Sequence, residues 1–167
     1  MLKEVINSTS DAVVAAIKGV DDILDAVTDT VKDQVVNVLK SGGEVSTTSV
    51  DVVSSVANGA VKAAGQVGAS ITEVAEGTIS GVVNGTSEVG GDVVVAVRGA
   101  VKGVLEATTA TGEDIGTVAV AAVDAAIKSS GKLGVDTESA AKAAINGAID
   151  ATASAGDPRL RHALSLH

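Results

Sequence analysis

A four-residue phrase recurs along this chain at a fixed spacing of 22 residues, and a fixed period constrains the fold more than any single motif could. From Gly59-Ala60-Val61-Lys62, forward steps of 22 reach Gly81-Val82-Val83-Asn84, Gly103-Val104-Leu105-Glu106, Ala125-Ala126-Ile127-Lys128 and Gly147-Ala148-Ile149-Asp150. Backward steps reach Asn37-Val38-Leu39-Lys40 and Ala15-Ala16-Ile17-Lys18. The frame runs without insertion or deletion from about Asp11 to Gly156. It divides residues 1–158 into one helical-repeat domain of seven units, near 5–26, 27–48, 49–70, 71–92, 93–114, 115–136 and 137–158, with a non-repeat tail at 159–167.

Residues four apart share one stripe of an α-helix, so the columns of the repeat can be read as faces. A large aliphatic stripe runs Val53, Ala57, Val61 in one unit, Val97, Val101, Leu105 in another and Ala141, Ile145, Ile149 in a third. Beside it lies a polar stripe, Ser54, Asn58, Lys62, then Arg98, Lys102, Glu106, then Lys142, Asn146, Asp150. The next stripe is small, as in Gly77, Gly81, Gly85 and Gly99, Gly103, Ala107, and the fourth is small or medium apolar, as in Val52, Val56, Ala60 and Ala140, Ala144, Ala148. Only about a quarter of each helix surface is polar, so each helix needs neighbours on three sides. Glycine inside a helix costs roughly 0.8–1 kcal/mol relative to alanine. Gly59, Gly77, Gly81, Gly99, Gly103 and Gly147 fall in two columns four residues apart and therefore point to close helix–helix approach.

A second glycine column, Gly68, Gly90, Gly112, Gly134 and Gly156, marks the unit ends, where glycine supplies the left-handed closing residue. Two residues later come the capping types Ser70, Asp92, Asp114 and Asp136. These signals predict helices near 49–65, 71–87, 93–109, 115–131 and 137–153. Loops of about four or five residues make neighbours antiparallel. The fold class expected is all-α, an array of antiparallel single-helix repeats resembling an α-solenoid. At the N-terminus the glycine and cap columns hold Leu24 and Ala26, while Val13, Ile17, Val20, Leu24, Val27, Val31, Val35 and Leu39 keep helical spacing. One longer N-terminal helix from about Ser10 to Lys40 is the preferred expectation, with a turn at Gly19 to Asp22 second. At the other end Asp157 and Pro158 stop the repeat.

Composition excludes several functions. The chain has no Phe, Tyr, Trp or Cys, and a formal net charge of −9. It lacks stacking platforms and a basic surface, so no nucleic acid partner is expected. Without thiolates, and with its two histidines, His162 and His167, in the tail, it offers neither a metal site nor a base beside a nucleophile. No enzyme activity, catalytic residue, cofactor or metal is expected. The acidic group Asp21, Asp22 and Asp25 has the spacing of a first helical turn or a solvated face and lacks the glycine and spacing of a calcium loop. Gly90-Gly91 is not followed by the Lys-Ser or Lys-Thr of a phosphate loop. Asn7-Ser8-Thr9 and Asn84-Gly85-Thr86 have the form of glycosylation sequons. No signal peptide or spanning segment is read, which makes cytoplasm the default location.

Residues 85–105, GTSEVGGDVVVAVRGAVKGVL, resemble repeats of uncharacterised bacterial proteins rich in Ala, Gly and Val, a likeness extending over most of 48–156. That resemblance implies a bacterial source and a repeat fold, and carries no site. Residues 26–43, AVTDTVKDQVVNVLKSGG, are similar in texture to synucleins and other lipid-surface proteins with 11-residue repeats. Twice 11 is 22, so that likeness implies a continuous amphipathic helix on a lipid surface.

Two functions remain open. The first is a structural or scaffold protein that self-associates into a homo-oligomer or filament, or holds a protein partner, because its last unit, with Ala140, Ala144 and Ala148, is as apolar as interior ones. The second is a lipid-associated protein whose Val, Ile and Leu stripes contact acyl chains.

Overall fold

A computed structural model describes residues 2–40 and 49–154. They form seven helices and no strands: α1 (Leu2–Ile17), α2 (Ile23–Lys40), α3 (Val50–Val67), α4 (Ile71–Glu88), α5 (Val93–Thr111), α6 (Ile115–Lys132) and α7 (Thr137–Ser154). The ends of α3 to α7 fall within two residues of those expected from the glycine and cap columns. The local chemistry is as anticipated: Ser70 accepts from the Glu73 amide at 3.3 Å, and Asp92 accepts from the Val94 and Val95 amides at 3.0 and 3.2 Å. Gly68, Gly90, Gly112 and Gly134 all take the left-handed conformation that lets the chain leave one helix and enter the next.

Consecutive helices are antiparallel, and each helix packs most extensively on the one two places along: α1 on α3, α3 on α5, α5 on α7, and likewise α2 on α4 and α4 on α6. The odd-numbered helices thus form one layer and the even-numbered helices a second. Val56, Ala60 and Ala64 on α3 and Ala96, Ala100, Val104 and Thr108 on α5 are all buried, and this stripe faces the opposite layer. The array is a two-layer solenoid with its own core, built from valine and alanine.

One expectation is corrected. The N-terminal segment is two helices of 16 and 18 residues, not one longer helix from Ser10 to Lys40. Gly19 sits at φ 79°, and Asp22 caps α2 by accepting from the Asp25 amide at 3.0 Å, with the Ala26 amide bonded to the Asp22 carbonyl. The apolar spacing runs through the break because α1 and α2 each turn an aliphatic stripe inward: Val13 and Ile17 on one, Val27, Val31, Val35 and Leu39 on the other, all buried. A continuous spacing cannot distinguish one helix from two that share a core.

The structural phase also slips where the sequence frame does not. Gly59 and Gly81 lie against Ile6 and Thr28, each 53 residues earlier, whereas Gly103 and Gly147 lie against Ser54 and Arg98, each 49 residues earlier. The first two helices are therefore displaced by four residues, about one helical turn, relative to the unbroken 22-residue register. The shift falls between α2 and α3, and residues 41–48 lie outside the described residues.

Candidate interaction surfaces

Within each layer the contact follows one rule: the glycine column of a helix receives the aliphatic stripe of the helix two places earlier. A methyl group at Gly103 would overlap the Ser54 carbonyl oxygen and lie 2.9 Å from the Ala57 Cβ. At Gly81 it would lie 2.6 Å from the Thr28 carbonyl oxygen and 2.8 Å from the Val31 Cβ. Gly77, Gly85 and Gly99 repeat the arrangement against Val27, Val35 and Val53, and Gly147 against Val101. Backbone meets backbone at these points, with the valines seated beside the glycines. The fully buried aliphatic residues of α4, Ala75, Ile79 and Val83, occupy the same register toward α6, where Ala121 and Ala125 replace the glycines.

The polar stripe forms a ladder between helices of one layer. Arg98 on α5 donates from Nε to Asp150 Oδ2 on α7 at 2.6 Å and from Nη2 to Oδ1 at 3.1 Å. Lys102 approaches Asp51 at 3.7 Å, and Ser54 donates to Glu106 at 3.2 Å. In the other layer Lys32 approaches Glu88 at 3.6 Å across α2 and α4, and Ser80 and Ser129 share a hydrogen bond of 3.1 Å across α4 and α6. The Arg98 contact pushes the Asp150 carboxyl below the ordinary carboxylate range, through hydrogen bonding first, opposed by partial burial and aided by charge attraction. Asp136, at the start of α7, is lowered by the Ser139 hydroxyl and by the backbone amides of Glu138 and Ser139. Asp25 is raised, chiefly by its hydrogen bond to Asp22 and by the charges of Asp22 and Asp29. These shifts arise at helix caps, first-turn carboxylates and ladder rungs.

The two ends of the array differ. At the end formed by α1 and α2, the positions that hold glycine on inner helices hold Asp11, Asp29, Asp33 and Asn37, all exposed. At the end formed by α6 and α7, the aliphatic stripe continues with no further helix seated on it among the described residues. Ile145 and Ile149 are 53% and 56% exposed; on α6 the stripe residues Ala119, Val123 and Ile127 are half-buried, and Val120, in the polar column beside them, is 71% exposed. A shallow groove of about 400 Å³ runs along α6 past Ala119, Val120, Val123, Asp124 and Ile127. The residues singled out from sequence at this end, Ala140 and Ala144, are fully buried toward the core, and Ala148 packs against it. The open stripe is the neighbouring one, Ala141, Ile145 and Ile149, whose counterparts Val97, Val101 and Leu105 on α5 are covered by α7.

A second cleft of about 430 Å³ lies between the C-terminal halves of α3 and α5, lined by Asn58, Lys62, Gly65, Gln66, Ala107, Ala110 and Thr111. Its polar groups are already engaged with α1, Lys62 with Asn7 at 3.4 Å and Gln66 with Ser10 at 3.5 Å. Gly90 and Gly91 close α4: the Gly91 amide bonds the Thr86 carbonyl oxygen at 2.8 Å. Thr9 and Thr86, the hydroxyl residues of the two sequons, are completely buried. Among the described residues no group of three or more His, Asp or Glu could hold a metal ion, and no helix is long and apolar enough to cross a membrane. His162, His167 and the rest of the tail 159–167 lie outside the described residues.

The chain is thus an all-α helical-repeat protein of solenoid type. No family model matches it and no curated protein is similar to it at a significant level. Among solved structures it is similar to a de novo designed helical repeat protein, with a TM-score of 0.56 and 18% sequence identity, covering 97% of this chain and 89% of that one. At that identity the likeness is one of fold.

Proposed function

We propose that this protein is a non-enzymatic structural scaffold that associates with further copies of itself. The observation that carries the reading is the aliphatic stripe of α6 and α7, which repeats the surface buried at every interior contact and stands open at Ile145 and Ile149. A repeat array remains monomeric when its terminal faces are polar. Among the described residues the polar end face is the one at α1 and α2. The helical-repeat architecture is compatible with a scaffold role, and the buried hydroxyls, glycines and valines all serve packing.

The lipid-surface reading needs the Val and Leu stripes free for acyl chains. In the folded array Val27, Val31, Val35 and Leu39, within the segment of synuclein-like texture, are buried. A protein acting as a scaffold is helical in plain buffer by circular dichroism and gains no helix with anionic vesicles. Sedimentation velocity then shows a mass that rises with concentration. A concentration-independent monomer up to the millimolar range overturns the self-association reading, and helix formation only on vesicles overturns the scaffold itself.

A further inference from the structure

Resting on the self-association reading, we infer that the occupant of the α6–α7 face is the same face of a second copy, turned by a half-turn, so that assembly stops at a closed dimer and does not grow into a filament. The geometry points to this through what each end presents. Head-to-tail growth would seat the stripe Ala119, Val123, Ile127 and Ala141, Ile145, Ile149 on the α1–α2 face. There an inner helix offers glycine, but α1 and α2 offer Asp11, Asp29 and Asp33. Closing such a contact would strip water from three carboxylates and supply no cation on the incoming stripe, an arrangement strongly disfavoured in a low-dielectric interface. The glycine grooves facing α1, α2, α3 and α5 are each already filled from within the chain.

The α6–α7 face is complementary to itself. Its apolar centre is flanked by Asp124, Lys128 and Lys132 on α6 and by Glu138, Lys142 and Asp150 on α7, three carboxylates and three ammoniums, with Asp124 and Lys128 at 3.0 Å, Glu138 and Lys142 at 3.3 Å, and Asp150 held by Arg98. The rim is therefore neutral on a chain of net charge −9. Two copies meeting here avoid the repulsion that acidic surfaces elsewhere would impose, and opposite charges can face one another around an apolar centre. An isologous contact of this kind consumes the sticky surface of both partners and closes. Two helices about 27 Å long, side by side and spanning about 20 Å, give roughly 500 Å² per copy, or about 1,000 Å² for the pair, which reaches the lower bound for a specific interface.

The test compares three full-length chains by sedimentation equilibrium from micromolar to millimolar concentration: the natural sequence, the double variant Ile145→Lys, Ile149→Lys, and the double variant Asp29→Arg, Asp33→Arg. All substituted residues are exposed, and circular dichroism melts verify that each variant folds. The expected result is a mass that levels off at two copies for the natural chain and for the α2 variant, and a monomer for the α7 variant. A mass rising past two copies, abolished by the α2 substitutions, overturns the closed dimer in favour of head-to-tail growth and leaves self-association standing. Continued association of the α7 variant also overturns the assignment, placing the contact elsewhere. A monomer throughout overturns both readings. Should deletion of 155–167 then produce a dimer, the tail of the same copy is the occupant.

Discussion

Arg98 on α5 grips Asp150 on α7 through two parallel hydrogen bonds, of 2.6 and 3.1 Å, that lock neighbouring helices of one layer in register. Another rung of the same layer, Lys102 on α5 with Asp51 on α3, is a looser contact at 3.7 Å. The difference follows from chemistry: guanidinium presents a planar fork that matches a carboxylate, whereas ammonium is a point charge.

Replacing Asp150 by Asn is therefore expected to lower the melting temperature at neutral pH by at most a few degrees, since both side chains remain partly exposed. The sign with pH is fixed. The folded carboxyl titrates below its unfolded value, so its contribution is fully present above the ordinary carboxylate range and is lost as the pH falls through the lowered folded value. Thermal melts of the two proteins should differ near pH 7 and converge in acid, and added salt should shrink the difference.

The glycine grooves give a sharper prediction, because helix propensity and packing pull in opposite directions. Gly103→Ala gains about 1 kcal/mol of intrinsic helix preference but drives a methyl group into the Ser54 backbone. Forcing α3 and α5 apart costs about 1–3 kcal/mol, so net destabilisation is expected. Gly131→Ala, where the added methyl meets only Thr137 Cγ2 at 3.4 Å, should instead stabilise by about 0.5–1 kcal/mol. Urea melts of the two variants, read at the helical band, must move in opposite directions. A gain for Gly103→Ala would mean that the helices do not approach this closely.

Asp25, in the first turn of α2, lies between the cap Asp22 and Asp29 one turn further on. Its carboxyl is raised by the hydrogen bond to Asp22 and by the charges of Asp22 and Asp29, so the folded protein holds that proton more tightly than the unfolded chain does. Stability from this group is present below the ordinary carboxylate value and is lost as the pH rises through the raised folded value. Asp25→Asn is therefore expected to raise the melting temperature by a degree or so at neutral pH and to leave it unchanged in strong acid. A pH series of melts checks the direction.

How far the sequence reveals this structure depends on whether an element is encoded locally. The helices α3 to α7 were legible because each boundary has its own pair of signals, such as Gly90 with Asp92 or Gly112 with Asp114, and both signals act within a turn. The break at Gly19 has them too, a left-handed glycine and the cap Asp22, but they stand out of the 22-residue frame, so the frame places the turn at Gly19 to Asp22 second to one long helix. The four-residue slip is not local at all. It becomes visible only when Gly81 is seen beside Thr28 and Gly103 beside Ser54. The same holds for the open face. Ala140, Ala144 and Ala148 and their neighbours Ala141, Ile145 and Ile149 are two apolar stripes of one helix, and only the position of α5 and α6 decides which is covered. The polar face of α1 and α2 escaped notice for the same reason, since Asp29 and Asp33 align with Gly77 and Gly81 only after the slip is applied.

Two threonines 22 residues apart in the core supply the last prediction, because they share a burial and differ in their bonding. Thr108 on α5 donates its hydroxyl to the Val104 carbonyl oxygen at 2.7 Å, and Thr86 on α4 is equally buried with its hydroxyl oxygen unpartnered. Valine matches threonine in shape and replaces the hydroxyl by a methyl. At Thr86 the substitution removes an uncompensated polar group and is expected to stabilise the array by roughly 1 kcal/mol. At Thr108 it removes a formed hydrogen bond while still gaining apolar burial, so the change should be near zero or destabilising by up to about 1 kcal/mol. The ordering is the test: Thr86→Val must exceed Thr108→Val in denaturant midpoint. The reverse order would mean that the Thr86 hydroxyl is bonded in solution, and that the two layers meet at α4 as they do at α5.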